Sequence, residues 1–588
     1  MAPKPAKAGK SPKPPKQSSS KGTSVLPEDI DPNSSFTPES FERELKALAA
    51  KAKDETWTKF AAEQASIYLK SIALISLMAV YSKASQSALS PVYGSIPASR
   101  WHAKVVIAAC FTGWSSNLFL SRSLPFKPAL LLPVIAIYIP TVQYFLFQLS
   151  DQFTAYWGPL ITEALTLFPL MALSAACVAT RLDGADLSRL PGWMADATPG
   201  LGSYSLYKAI EVLFGRLAEA YVGKSFFNTR LGTEVALAAS YTLFAPSKLL
   251  VFALPALLHT ALLNTHVPTP MALASLNSTL NSQGWIILDR QESLTGYISV
   301  IESMKDGFRV MRCDHSILGG EWVKFIGQGQ FKGNKVAEPI YGVFAMLEAV
   351  RLVEVPEPVP DDKAKALVIG LGVGTTPGAL VAHGIDTTVV EIDPVVHDFA
   401  IKYFQLPSNH NAVIEDAVAY TDRLATAGDE HFDYIIHDVF TGGAEPVALF
   451  TLEFLQNLNA LLTPGGVIAI TIRQVFPSCR IFREHPRDPA EVAKHGQDFT
   501  NMVIFCTKQP RAISFRPPAA ADLLNSPSRD AFLLPKHEVT DDDFVAGEDG
   551  DVLRRNDTAK LVKWHETSAL GHWTVMRTVL PAVVWEGW

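Results

Sequence analysis

Cysteine is scarce in this chain: Cys110, Cys177, Cys313, Cys479 and Cys506 are the five among 588 residues. No pair of them stands at metal-ligand spacing and no framework of bridges emerges. That excludes a disulfide-stapled scaffold and a zinc module, and predicts reduced thiols, no metal and a cytosolic compartment. Net charge is slight, −7 over the whole length, so charge alone points to no partner. Between about 66 and 264 charged residues are nearly missing, whereas 285–588 has the mixed composition of a soluble protein. The first 35 residues have almost no apolar side chains instead, and carry Lys4, Lys7, Lys10, Lys13, Lys16 and Lys21 among Pro and Ser. Such a segment buries too little surface to offset its conformational entropy, so it reads as a disordered tail and not as a secretory signal. Its Gly9-Lys10-Ser11 lacks the earlier glycine and the preceding strand of a phosphate loop.

What the first half does have is long apolar runs. About 66–82, 103–121, 129–149 and 156–179 reach the roughly 20 residues that a helix needs to cross hydrocarbon. Pro133, Pro140, Pro159 and Pro169 inside them are tolerated in membrane bundles. Residues 203–222 put Leu206, Ile210, Leu213, Leu217 and Tyr221 on one face, the pattern of an amphipathic helix on the membrane or the bundle. Residues 232–264 are apolar again, broken by Pro246 and Pro255, as one kinked span or a tight pair. Six spans are expected, with both ends on the cytosolic side, although Lys83, Arg100 and Lys104 then fall in an outer loop. Glu163 is the one charge set into the first four runs beyond their flanks, which favours an anchor over a transport pathway.

From Lys365 short β-branched runs alternate with helical segments, the sign of a parallel sheet. The strand KALVIG enters the turn Gly370-Leu371-Gly372-Val373-Gly374, where a ligand has to approach the backbone closely. A second strand, Asp386–Ile392, delivers Glu391, placed to accept the hydroxyls of a ribose, with Ile392 beside it. A third strand ends before Asp416-Ala417, where an acid can accept from an adenine amino group or cap the next helix. A fourth, Phe432–His437, brings Asp438 to the carboxyl edge of the sheet. Thr375 stands where a nicotinamide fingerprint has its last glycine, so the pattern fits an S-adenosyl ligand better.

These motifs resemble the spermidine synthase family, an offshoot of the S-adenosylmethionine-dependent methyltransferase fold, and more narrowly its fungal membrane-anchored type. The likeness runs over about 285–508 and rests on Gly370–Gly374, Glu391-Ile392-Asp393, Asp416-Ala417 and Asp438. Tyr297–Val300 and Arg309–Asp314 look like the family's opening hairpin, and Glu338-Pro339-Ile340-Tyr341 like its Glu-x-x-Tyr. The resemblance implies a cofactor site of Gly370, Gly372, Gly374, Glu391, Ile392, Asp416 and Ala417, with Asp438 as catalytic base. It implies Tyr297, Asp314 and Tyr341 on the substrate side. Other family features are lost: Ile298 follows Tyr297 where aminopropyl transferases have Gln, Gly342-Val343 replace His-Glu, Val373 replaces the acid of the glycine turn, and Thr441 replaces a second acid. A polycation needs several fixed carboxylates, whereas methyl transfer mainly needs a nucleophile held in line. The expectation is therefore methyl transfer from S-adenosylmethionine to a small-molecule or protein acceptor. The alternatives are aminopropyl transfer from decarboxylated S-adenosylmethionine, a ligand-binding scaffold without turnover, and a transporter with a regulatory domain.

The expected fold class is an N-terminal α-helical transmembrane bundle, then a C-terminal α/β Rossmann-like domain of class I methyltransferase and spermidine synthase type, preceded by a β-hairpin section. Its divisions are 1–60, tail and lead-in helix; 61–270, membrane helices; 285–350, β-rich section; 351–510, ligand-binding domain; and 511–588, an irregular acidic and aromatic tail. The four tryptophans after Lys560 argue for docking on a protein or membrane surface. The bilayer is the expected partner, nucleic acid is not, and a homodimer is left open. The expected location is a membrane, with the catalytic domain toward the cytosol. Only six residues, Arg473–Ser478, separate the fifth strand from the run Cys479–Phe482. A parallel crossover needs a dozen or more, so either that run is not a parallel strand or a segment beside the acceptor pocket is missing.

Overall fold

The computed structural model describes residues 38–188, 190–325, 336–439, 443, 446–470, 475–495, 500–540 and 552–588. The chain divides into two compact units, Met1–Ser66 and Ile67–Trp588. The second holds both the helical half and the sheets.

Helices α1 (Pro38–Tyr93), α2 (Ser95–Ser115), α3 (Asn117–Ser123), α4 (Leu132–Phe147), α5 (Ser150–Leu165) and α6 (Leu167–Leu182) open the chain. After them come α7 (Gly192–Tyr221), α8 (Arg230–Phe244), α9 (Leu254–Leu262) and α10 (Pro270–Asn281). Their shared core includes Leu74, Met78, Ile137, Met171 and Tyr241. Among the described residues three stretches are long and apolar enough to cross a membrane: Thr56–Tyr93, Pro128–Phe147 and Ser150–Leu182. A fourth is added if α2 and α3, bent by 61° at their junction, form one span. Six were expected. Pro246 and Pro255 divide 232–264 into a pair, and α9 rises only about 14 Å at 1.5 Å per residue, too short to span.

The second half starts with β1 (Trp285–Glu292), β2 (Tyr297–Ser303), β3 (Phe308–Cys313) and β4 (Ser316–Glu321), an antiparallel sheet in sequence order. After α11 (Gly342–Leu347) come β5 (Lys365–Ile369), α12 (Thr375–Ala382), β6 (Asp386–Glu391), α13 (Pro394–Tyr403), β7 (Asn411–Ile414) and α14 (Ala417–Ala427). Then follow β8 (Phe432–His437), α15 (Leu452–Leu461), β9 (Leu462–Ile470), β10 (Ser478–Arg483), α16 (Pro489–His495), β11 (Met502–Thr507), α17 (Pro527–Phe532) and β12 (His537–Val539). The eight strands are ordered β12-β10-β11-β9-β8-β5-β6-β7, with β7, β6, β5, β8 and β9 parallel. This is the Rossmann-like sheet expected from the alternating pattern, and its reversal between β5 and β8 opens the ligand crevice.

The short connection after β9 now has an explanation. β10 does not pair with β9; β11 lies between them, antiparallel to both. The chain passes from Ile470 to Ser478 without room for the usual crossover helix; residues 471–474 of that connection lie outside the described residues. Cys479 stands directly opposite Cys506 across β10 and β11, and their sulfurs are bonded. The expectation of five reduced thiols is thereby corrected. Cys110, Cys177 and Cys313 stay free.

The region after 510, expected to be irregular, contains α17, β12, α18 (Val562–Val579) and α19 (Ala582–Glu586); its acidic run Asp541–Asp543 lies outside the described residues. α18 and α19 join the two halves. Trp573 Nε1 donates to the Val92 carbonyl at 3.0 Å, and Arg577 Nη1 reaches Asp151 at 2.7 Å. The buried Arg312 of β3 donates to the carbonyls of Pro91 and Val584, at 2.6 and 2.5 Å. Trp585 and Trp588 are fully buried there, Trp588 stacked 4.4 Å from His266. Trp573, Trp585 and Trp588 therefore dock on the protein itself, whereas Trp564 stays exposed.

Candidate active site

The cofactor side is built by the ends of four parallel strands. Gly370, Gly372 and Gly374 all have positive φ, at 85°, 54° and 86°. A side chain is excluded at Gly370 by position as well as by φ, because a Cβ there would stand 2.1 Å from the Asp438 carbonyl. The turn and the end of β8 are thus held against each other, with the Asp438 N–H donating to Ile369 at 2.9 Å.

Glu391, at the tip of β6, is buried, and its two oxygens accept the N–H groups of Leu371 and Asp393 at 3.0 and 2.9 Å. It therefore ties the glycine turn to the second strand. A carboxylate has about four acceptor positions, so it keeps capacity for ribose hydroxyls. Burial raises its pKa to about 7. Asp416 caps α14 by accepting from Val418 N at 2.9 Å, and its exposure leaves it open to a ligand amino group. Ala417 is buried, and Ile392 presents an exposed apolar side chain at the same edge. The glycine cradle, Glu391, Ile392, Asp416 and Ala417 together fit an adenosyl group. Replacing Glu391 by glutamine puts an NH₂ against the N–H of Leu371 or Asp393. The expected result is roughly a tenfold or greater loss of S-adenosylmethionine affinity by calorimetric titration, since a mispaired buried group costs about 1–3 kcal/mol. Unchanged affinity would take the ribose role away from Glu391.

Asp438 leaves β8 at the carboxyl edge, half-buried, and desolvation pushes it up to about 7. A carboxylate so poised takes a proton near neutrality. Its chain neighbour His437 faces the opposite side, packed between Phe450 and Phe454 with centroids 4.8 and 5.7 Å away. Val373 is buried with Phe344 packed against it, so an apolar wall stands where the family has an acid. Thr441 lies outside the described residues.

The three residues expected on the substrate side have other partners. Asp314 accepts from Tyr297 N at 2.9 Å and pairs with Arg230 at 3.1 Å. The Tyr297 ring lies beneath Arg312 and 5.5 Å from Trp588, with its buried hydroxyl unpartnered. Among the described residues no hydrogen bond or ion pair joins either to Asp438. Tyr341 precedes α11, its hydroxyl also buried and unpartnered, and burial lifts it to about 12.

Several other residues hold the site together and, Asp393 apart, carried no signal in the sequence. Glu484 of the β10 side accepts from the N–H groups of Gly342 and Val343 at 2.6 and 3.1 Å, capping α11 across the fold. Asp393, fully buried, accepts from Ser293 Oγ and Thr295 Oγ1, each at 2.6 Å, and so latches the antiparallel sheet to the cofactor side. At the mouth, Gly443 lies against Ala569 and His572 of α18, and His572 bonds Ser316 of β4 at 3.1 Å. Among the described residues no group of His, Cys, Asp or Glu is arranged to hold a metal ion.

Residues 347–504 match the model of the spermine/spermidine synthase domain. The chain is 46% identical over 545 residues to the N-terminal histidine N-methyltransferase of Emericella nidulans, covering 88% of this chain and 96% of that protein. It is 35% identical over 122 residues to the polyamine aminopropyltransferase of Vibrio vulnificus, 20% of this chain and 40% of the other. A third likeness, 28% over 177 residues, is to the eEF1A lysine and N-terminal methyltransferase of Xenopus laevis, 28% of this chain and 25% of that one.

Proposed function

Given that this chain belongs to the family of the Emericella N-terminal histidine N-methyltransferase and is an S-adenosylmethionine-dependent methyltransferase, we propose that its acceptor is the N-terminal histidine of a protein. The observation that carries the reading is the likeness over 96% of that relative, helical half included. The acceptor side supports it. A polyamine would meet Val373 and Phe344 where it needs carboxylates, whereas a flat imidazole suits one apolar wall and one carboxylate. The aminopropyl alternative has in its favour the match to the synthase domain, but not this chemistry.

The glycine turn, Glu391 and Asp416 would hold S-adenosylmethionine, which supplies an electrophilic methyl group on its sulfonium. The chain's own task is to keep a neutral ring nitrogen in line with that methyl, which the wall at Val373 and Phe344 does by restricting the ring. As the new N–C bond forms, the methyl–sulfur bond would break with its electron pair left on sulfur as a neutral thioether; the ring gains the positive charge, and Asp438 takes the proton from its other nitrogen.

Incubating the full-length chain and S-adenosylmethionine with a peptide that begins with histidine should add one methyl to that residue by mass spectrometry. The same peptide beginning with alanine should stay unmodified. Spermidine formed from putrescine and the decarboxylated donor, with the peptide untouched, would overturn the proposal.

For the helical half we propose membrane insertion, supported by the three or four stretches of sufficient length and apolarity. The transferase half is placed on the cytosolic side, where S-adenosylmethionine is made; the Cys479–Cys506 bond is the observation against it, since disulfides persist in oxidising compartments. Protease protection in sealed vesicles decides the side.

A further inference from the structure

Helix α7 buries a single residue along its 30, Tyr207. That residue starts a chain of buried polar groups through four helices. The Tyr207 hydroxyl donates to Ser82 Oγ at 2.7 Å, Ser82 Oγ bonds His102 Nε2 at 2.9 Å, and His102 Nδ1 bonds Glu163 Oε1 at 2.5 Å. α7 is therefore linked to α1 directly, and through it to α2 and α5, while its Leu206 and Ile210 pack on the core of the bundle. Beside the pin is a cavity of about 450 Å³, lined among others by Lys83, His102, Val106, Lys208, Val212 and Arg216. This volume is in the range of sites that hold a small molecule.

The lining has two chemistries. Lys208 is taken up by Glu211 at 2.6 Å, while Lys83 has only Gln86, at 3.3 Å, and Arg216 makes no ion pair among the described residues. Lys83 and Arg216 face one remaining acid of the lining, Glu219, which leaves a cationic surplus. Ile107 of α2 and Val212 of α7 line the cleft and are exposed, as are Leu213 and Leu217 farther along α7. Lys83 precedes Pro91, whose carbonyl touches the transferase half, by eight residues, about 12 Å along α1. If the helices span a bilayer, the cavity lies near its transferase-side surface, where head groups are.

We propose that this cleft between α2 and α7 is a binding site for an anionic phospholipid, with its phosphate held by Lys83 and Arg216 and its acyl chains against Val106, Ile107 and Val212. The proposal rests on the membrane reading of the helical half. It gives the outer part of α7 a surface to pack on.

The test uses the full-length protein in mild detergent, with bound lipid read by native mass spectrometry. Wild type should retain phosphatidylglycerol in preference to phosphatidylcholine, and the Lys83→Gln/Arg216→Gln double variant should lose that retention on the order of 30-fold, the effect of two charges at a membrane surface. Val212→Trp, which fills the cleft and removes no charge, should lose it as well; S-adenosylmethionine binding checks that each variant is folded. Equal retention in the variants overturns the proposal, as does stabilisation by inorganic phosphate equal to that by the lipid. Flotation with neutral phosphatidylcholine vesicles separates the two readings. A protein that floats but shows no preference for phosphatidylglycerol loses this proposal alone, whereas one that does not float loses the membrane reading too.

Discussion

Replacing Asp438 by asparagine is expected to lower kcat by about 10²–10⁴, the usual worth of a positioned base, while S-adenosylmethionine affinity stays within a few-fold. On the proposed reading the two effects separate, because Asp438 would face the acceptor whereas Glu391 and the glycine turn would hold the cofactor. The pH profile carries the same information. With its pKa raised to about 7, Asp438 is an active base only when deprotonated, so wild-type kcat should fall about tenfold per unit below pH 7. In the variant that limb should vanish; any acid limb left belongs to the acceptor imidazole, whose ordinary pKa is about 6.5.

Stability should move in the opposite direction. An aspartate ordinarily titrates near pH 4, and here the folded state holds the proton more tightly than the unfolded chain. The stabilisation is full below about pH 4 and is lost as pH rises through about 7. Glu391, also raised to about 7, adds to the same trend in the ligand-free protein. Melting temperatures should fall between pH 5 and 8, with a shallower slope in the asparagine variant. A variant retaining more than a tenth of wild-type turnover would remove Asp438 from the mechanism.

Arg230→Met should have the largest effect on stability. Arg230 opens α8 and reaches across to β1 and the β3–β4 turn. Its N–H donates to both Glu292 oxygens at 3.0 and 2.9 Å, and its guanidinium pairs with Glu292 and Asp314, each at 3.1 Å. Methionine fills the space but leaves two carboxylates buried without their counter-charge. Breaking a buried pair from one side costs about 3–5 kcal/mol. Wild type is expected to melt with the helical and transferase halves together, and the variant in two separated steps, seen by calorimetry in detergent. Arg230→Lys, which restores charge but not the forked geometry, should fall between. A single unshifted transition in Arg230→Met would show that the other contacts between the halves suffice.

The difference between these two residues also shows what the sequence made legible. The glycine turn, Glu391, Asp416 and Asp438 were readable because each sits at the end of one strand, at a spacing that the sheet itself imposes. β5, β6 and β8 appear where the β-branched runs place them. Arg230 was not readable, since an arginine ahead of an apolar run looks like an ordinary flank until its partners, 62 and 84 residues later, are brought to it. Tyr297 and Asp314 were recognised by motif, and the fold assigns both to the contact with the helical half. The bond between Cys479 and Cys506 depends on strand register, 27 residues apart, and the position of β10 depends on β11 arriving later to separate it from β9. Composition alone runs 232–264 together, whereas Pro246 and Pro255 divide it into shorter helices. Local spacing reveals a site built within one sheet; contacts between distant segments require the assembled fold.

The position of α18 and α19 has a consequence for biosynthesis. Residues 562–588 leave the ribosome after every surface they touch, yet they supply the Trp573 bond to Val92 and the Arg577 bonds to Asp151 and Ser150, and Val584 receives Arg312. Until then Arg312 lacks the Val584 carbonyl and the Val92 carbonyl lacks Trp573. A nascent chain halted before 562 would thus present an unfilled apolar seam to chaperones and proteases, although its cofactor motifs were already complete. Joining the halves is a late event in the life of each molecule, and the last helices act as its checkpoint.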